Sequence, residues 1–247
     1  MHPDTNSLLI LESVDSTNNY AMGMIRNGAT VHGNAYFTHE QTHGKGRRGK
    51  KWNTEKGKNI ILTIAADTMF LRVDEQFKLS VAVSLACYNF FKKYAGKDVK
   101  IKWPNDLFWN DRKAGGILIE NVIKGSVWQW AAIGIGININ QTEFDNANNF
   151  LPVSLKQITG KDFNIIQLAK ELYETVMIKF EELKNNGFKK MISNYNENLF
   201  ALDKNVKLKK NNIVFETTVK AVSPQGKLIT EDAIERQFDF DEIEWIL

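Results

Sequence analysis

The stretch Gly44-Lys45-Gly46-Arg47-Arg48-Gly49-Lys50-Lys51-Trp52 combines two kinds of residue that phosphate binding needs. Its glycines permit positive φ and let the backbone approach a ligand closely. Its arginines offer planar forks for phosphate oxygens, and its lysines offer point charges. The first reading is a phosphate-bearing ligand. A nucleic-acid contact through the basic run 45–58, or a solvated basic hairpin, has the same composition. A second group, Lys102-Trp103-Pro104-Asn105-Asp106, sets an amide and a carboxylate just after a strand-like run. Sheets of α/β type often bind ligands at that strand end. Asp106 could hold Mg2+ there, because this hard cation suits carboxylate plus phosphate oxygens. A Pro-Asn-Asp turn closed by its own Asx hydrogen bonds is the competing reading.

Two further segments share this character. In Asp111-Arg112-Lys113-Ala114-Gly115-Gly116-Ile117, a lysine beside paired glycines could point into a pocket while the backbone passes beneath it, although lysine is usually exposed. In Gly134-Ile135-Gly136-Ile137-Asn138, glycines interrupt an apolar strand. They cost stability there and mark close approach of a ligand or another chain. Asn138 would then be a polar specificity group. His39-Glu40-Gln41-Thr42-His43 matches the H-E-x-x-H zinc pattern, which requires a helix to put both imidazoles on one face. A β-like Ala-Tyr-Phe-Thr precedes it and Gly44 follows, so no helix and no zinc site are expected.

The elements that must position these groups are legible in outline. Residues 7–12 read as a strand, with a short capped helix over 17–27 ended by Gly28. Residues 34–39 and 60–65 read as strands flanking the basic loop. Residues 77–94 read as a buried helix stopped by Gly96. Residues 98–103 alternate as a strand, and Pro104 should keep Trp103 extended. Residues 116–123 and 127–138 form a hairpin through Lys124–Gly125, in the middle of a sheet. Asn164 and Gln167 resemble a capping box ahead of a helix running toward Gly187, with a second helix over about 188–199. After Phe200 the texture changes to short alternating runs split by Asn211–Asn212 and Pro224–Gln225–Gly226, so five short strands forming a small barrel are expected. The fold class is therefore α+β, with a division into residues 1–199 and 200–247.

Composition narrows the function classes. A net charge of +3 over 247 residues is too small for a surface-wide polyanion partner, so basic function must be local. The single Cys87 excludes an intrachain disulfide and a multi-cysteine metal site, which points to a reducing, cytoplasmic compartment. No apolar run approaches the ~18 residues of a membrane span, and residues 1–16 lack a signal-peptide pattern.

Together these segments resemble the catalytic core of biotin–protein ligases. Four blocks match in order: Ser16-Thr17-Asn18; the loop Gln41 to Trp52; Lys102 to Asp106 with Lys113 to Gly116; and Gly134 to Asn138. The resemblance implies a mixed sheet with helices like that of class II aminoacyl-tRNA synthetases, plus a C-terminal SH3-like barrel. It implies ATP-dependent formation of biotinyl-5'-AMP and transfer of biotin to a lysine of a biotin carboxyl carrier protein. The substrates are then ATP and biotin, with Mg2+.

The resemblance also carries roles to matched positions. Ser16, Thr17, Asn18, Gln41 and Gly116 would line the biotin site. Lys45, Gly46 and Arg47 would close over biotin and its adenylate. Arg48 and Trp52 would hold the nucleotide end, with Lys102, Asn105 and Asn138 on the ATP side and Asp106 toward the metal. Lys113 would contact the biotin carboxylate and the α-phosphate, so Lys113, Arg48 and Asp106 are the catalytic candidates.

Two departures stand out. Position 45 is Lys where the family loop commonly has Arg, and Asp239-Phe240-Asp241-Glu242-Ile243-Glu244 replaces a Gly-Glu-Val/Ile-Ser-like closing strand. The core begins close to Met1, so a ligase without a DNA-binding repressor domain is expected. An exposed sheet edge could pair two copies. A lipoate–protein ligase, sharing fold and chemistry, is the nearest rival.

Overall fold

A computed structural model describes residues 8–144 and 151–246. The expected strand over 7–12 is described as Leu8–Leu11, and Ser7 lies outside the described residues. Seven strands form a mixed sheet: β1 (Leu8–Leu11), β2 (Ala35–Thr38), β3 (Asn59–Asp67), β4 (Val99–Lys102), β5 (Asp106–Trp109), β6 (Arg112–Lys124) and β7 (Val127–Asn138). Their order is β1-β2-β3-β7-β6-β5-β4, with β1 and β2 parallel and the remaining pairs antiparallel.

The central strands β3 and β7 are almost wholly buried because helices cover parts of both faces. From Trp130 onward, strand periodicity divides β7. Ala131, Ile133, Ile135 and Ile137 join the main core, beneath helices α2 (Gln76–Ala95) and α4 (Ile165–Lys184). On the opposite face Ala132 packs with Ala21 and Ile25 of helix α1 (Thr17–Arg26). Gly134, Gly136 and Asn138 follow Ala132 on that face, so the sheet surface beyond α1 has almost no side-chain bulk. The site is built there.

Several expectations shift. The β6–β7 turn falls at Gly125–Ser126, one residue later than expected, with Gly125 at φ 61. Strand β6 begins at Arg112 and pairs with β5, a strand not anticipated because four residues are too short to display alternation. Trp103 leaves β4 for a turn over residues 103–105, and its peptide bond to Pro104 is cis. Asn164 Oδ1 does accept from Gln167 N at 3.1 Å. A two-way capping box is formed by Ser154 and Gln157, at the start of the unanticipated helix α3 (Leu155–Thr159).

Helix α5 (Phe188–Glu197) leads to a second, antiparallel sheet of β8 (Asn205–Lys210), β9 (Ile213–Val222), β10 (Leu228–Glu231), β11 (Glu235–Phe238) and β12 (Glu244–Ile246). The order is β11-β10-β9-β8-β12. Asn211 and Asn212, both at positive φ, turn β8 into β9. The sheets are tied where Trp103 Nε1 donates to Gly226 O at 2.9 Å. Gly226 has no room for a side chain, since a β-carbon would lie 2.8 Å from Phe77 Cγ. Among the described residues no helix is long and apolar enough to cross a membrane.

Candidate active site

The Gly-rich loop is a closed hairpin. Gly46 N donates to Lys50 O at 2.7 Å and Trp52 N donates to Gly44 O at 3.0 Å. Arg48 at its tip sits at φ 56, and Gly49 at φ 71 completes the reversal. A β-carbon on Gly44 would overlap the Trp52 carbonyl, which is why that position tolerates only glycine. The loop roofs a cleft of about 670 Å³ lined also by Leu118, Glu120 and Asp241.

One end of this region is a buried polar network. Ser16 caps α1 by accepting from Asn19 N, so Ser16, Thr17 and Asn18 lie at the helix start. Thr17 N donates to Gln41 Oε1 at 2.8 Å. The Thr63 hydroxyl lies 2.8 Å from Thr17 Oγ1 and 2.7 Å from Asn18 Oδ1. Asn18 Nδ2 donates to Glu120 Oε2 at 2.8 Å and to Leu118 O at 3.2 Å. Lys45 reaches from the loop to Asn19 Oδ1, and lies 3.9 Å from Glu120. Buried polar groups retain a fixed pattern only when paired in this way.

The other end is charged. Lys113 Nζ lies 2.7 Å from Asp106 Oδ1, with both side chains mostly shielded. Trp52 covers the pair, its ring centroid 5.7 Å from Lys113 Nζ. Beneath them Gly116 faces Trp52, Asp106 and Lys113, each within 3.6 Å of where its β-carbon would be. The Trp52 Nε1 is buried without a hydrogen-bond partner. Asn105 holds β6 by donating to Ile117 O at 2.9 Å, and Arg47 donates to Asn105 Oδ1 at 3.4 Å. Arg48 faces away from this pair and donates to Asp241 Oδ1 and to Phe240 O, both at 2.9 Å.

Two candidates lie beneath the cleft surface. Asn138 donates to Lys113 O at 3.3 Å and Val153 O at 3.2 Å, fixing the strand that carries Lys113. Lys102 stands across from Asp106 on β4, its Nζ 4.7 Å from the Trp245 ring and 5.3 Å from the Phe108 ring. Burial pushes its ammonium pKa down to about 7; Lys113 and Lys50 lower it further and Asp106 opposes.

Residues 39–43 are not helical, so His39 and His43 do not share a helix face. Among the described residues no group of three His, Cys, Asp or Glu could hold a metal. Thr63, Glu120, Phe240 and Asp241 were not anticipated. Thr63 and Glu120 carried a signal, as polar residues inside apolar strands. Phe240 and Asp241 stood out only as part of a departure from the family pattern; nothing local tied them to the loop, because 193 residues separate Asp241 from Arg48.

Residues 10–138 match the model of the biotin/lipoate A/B protein ligase family. The bifunctional ligase/repressor BirA of Escherichia coli is 36% identical over 141 residues, covering 56% of this chain and 41% of that protein. The biotin–[acetyl-CoA-carboxylase] ligase of Paracoccus denitrificans is 34% identical over 137 residues, covering 53% of each. The chain thus spans about half the length of these curated relatives. A biotin protein ligase from Aquifex aeolicus, solved with biotin and ATP, superposes with a TM-score of 0.82 over 96% of this chain and 97% of that one, at 22% identity, a likeness of fold. The matched segment holds both the polar network and the Lys113–Asp106 pair, and the chain belongs to the biotin/lipoate A/B protein ligase family.

Proposed function

We propose that this chain activates biotin with ATP as biotinyl-5'-AMP and transfers the acyl group to an acceptor lysine. The carrying observation is the Lys113–Asp106 pair under Trp52, joined by one loop to a buried amide and hydroxyl network. The two ends suit a ligand with a polar uncharged head and an anionic, reacting tail.

In the first step a carboxylate oxygen attacks the α-phosphorus, and the bond to pyrophosphate breaks. Two anions must meet, so fixed positive charge where they collide lowers the barrier. Lys113 supplies it, oriented by Asp106 and held by Asn138. Removing such a preorganised contact typically costs ~3–4 kcal/mol of barrier. Arg47 and Arg48 serve the phosphates from the loop, and Trp52 with Asn105 the nucleotide end. In the second step the acceptor amine attacks the acyl carbon, AMP leaves and the nitrogen loses a proton. There the chain contributes mainly positioning, and the roofing loop keeps water from the adenylate.

A single carboxylate suits Mg2+, which keeps waters and takes most of its remaining ligands from phosphates. Asp106 is that carboxylate, although Lys113 already engages one of its oxygens. When bound, the ion supplies charge neutralisation for the triphosphate.

The mixed sheet is read as a class II aminoacyl-tRNA synthetase-like core spanning residues 1–199, and the antiparallel sheet as an SH3-like barrel over 200–247. The acceptor is read as the biotin carboxyl carrier domain of a carboxylase, in keeping with the name of the Paracoccus relative.

Lipoate is the rival substrate. Its dithiolane ring has no N–H or C=O to pair with Asn18, Gln41 and Glu120, and a site built for hydrogen bonding rejects an analogue lacking them strongly. The nucleic-acid reading loses support because Arg47 and Arg48 contact Asp241 and Phe240 rather than forming an open basic face. Pyrophosphate exchange into ATP tests the proposal, with biotin, lipoate or no acid. Exchange that needs biotin and collapses in Lys113→Ala is expected. Exchange with lipoate alone would overturn the substrate, and none with either acid would overturn the chemistry.

A further inference from the structure

We propose that the turn at Asp239–Asp241 is a counter-charge latch on the phosphate loop, so that Asp241 pairs with Arg48 and an incoming nucleotide phosphate displaces it. This rests on reading the loop as phosphate-binding. The Arg48 guanidinium forks onto Asp241 Oδ1 through Nε and onto the Phe240 carbonyl through Nη2, each at 2.9 Å. Arg47 Nη2 lies 3.7 Å from the same Asp241 oxygen, and its guanidinium carbon 5.3 Å from the Phe240 ring centroid. A phosphate presents that same pair of acceptors with more negative charge.

The turn is anchored. Phe240 packs on Trp103 and Phe77, with centroids 5.6 and 6.0 Å apart. The other acidic groups nearby are already engaged with lysines of their own sheet or turn. Asp239 takes Lys227 and Glu242 takes Lys210, both at 3.1 Å. Asp241 alone of these three faces the loop, and it lines the cleft. Its side chain is 75% exposed, so the ion pair is weak enough to exchange. Arg48 also holds a left-handed conformation that a β-carbon disfavours, and an outside partner helps maintain it. The acidic closing segment that departs from the family pattern thus acquires a role: it sets how much nucleotide the loop needs before it is occupied.

Inorganic pyrophosphate and ATP with Mg2+ would be titrated calorimetrically into wild type, Asp241→Asn, Asp241→Ser and Asp241→Glu. Asp232→Asn, which breaks the exposed pair with Arg236, is the control. Removing a competing exposed carboxylate should tighten pyrophosphate about two- to fivefold in the Asn and Ser variants. The gain should fade at high salt, KM for ATP should fall by the same factor, and Asp241→Glu should stay near wild type. Unchanged or weaker binding in both neutral variants would overturn the latch. Tighter pyrophosphate without biotin-dependent exchange would keep the latch and overturn the acyl chemistry. Biotin-dependent exchange with unchanged pyrophosphate binding would do the reverse. No pyrophosphate binding by any variant would overturn the latch, and together with no biotin-dependent exchange it would overturn both.

Discussion

The indole of Trp52 fills the space that a side chain at position 136 would need: a β-carbon on Gly136 would lie 2.5 Å from Trp52 Cε2 and 2.6 Å from its Nε1. Gly136→Ala must therefore push the indole off the sheet. Overpacking of this kind costs ~1–3 kcal/mol, and the displaced ring should weaken ATP more than biotin. Urea unfolding and calorimetric titration of each substrate check it. Unchanged ATP affinity would remove Trp52 from the nucleotide end.

Lys113 and Asp106 should behave as a unit. Lys113→Ala is expected to slow biotin-dependent pyrophosphate exchange by ~10²–10³-fold. Asp106→Asn should slow it too, and the double variant should be much less impaired than the product of the two. A multiplicative loss would show that the residues act independently.

The amide network should set the affinity for biotin. Asn18→Ala leaves Thr63 and Glu120 without their shared partner. Losing an amide that meets the polar head of the ligand costs ~1–3 kcal/mol, so biotin should bind about ten- to a hundredfold more weakly, with ATP little changed. Equal weakening of both substrates would indicate general distortion of the cleft.

Lys102 should leave a signature in stability against pH. Burial lowers its pKa from 10.5 to about 7. Between those values the unfolded chain binds the extra proton, so stability rises with pH across this window. Lys102→Met lacks that proton. The stability difference between wild type and variant should therefore climb toward wild type from about pH 7 to 10, by up to ~1.4 kcal/mol per pH unit. A flat difference in urea unfolding over that range would show that Lys102 titrates normally.

Cys87 should be chemically silent. It is buried in α2, and burial pushes its thiol up to about 12. An aromatic disulfide reagent at pH 8 should label it only as fast as the chain unfolds. Rapid labelling of folded protein would contradict the packing around α2.

The sequence was most informative where chemistry and backbone geometry coincide. Gly134 and Gly136 stand out in an apolar strand because glycine has no other reason to be there. Their expected meaning is close approach of a ligand or another chain; within this chain, Asn18 and Trp52 lie where the β-carbons would be. Long periodic elements were legible for a similar reason: α2 and α4 repeat their apolar pattern over 20 residues each, which averages out local exceptions. The four residues of β5 and the five of α3 offer no such repetition.

By itself the sequence determined the basic glycine loop, the buried helices, a mixed sheet with helices followed by a small unit of short strands, and the family resemblance. Each depends on neighbours along the chain, where spacing fixes which side a residue faces. Only the tertiary structure decided the partners: Lys113 with Asp106, Asn18 with Glu120 and Thr63, Lys102 against Trp245, and Arg48 with Asp241. These pairs join segments up to 193 residues apart. Electrostatic and hydrogen-bond energies depend on distances of a few ångströms, and no local periodicity encodes which distant segments the folded sheets bring that close.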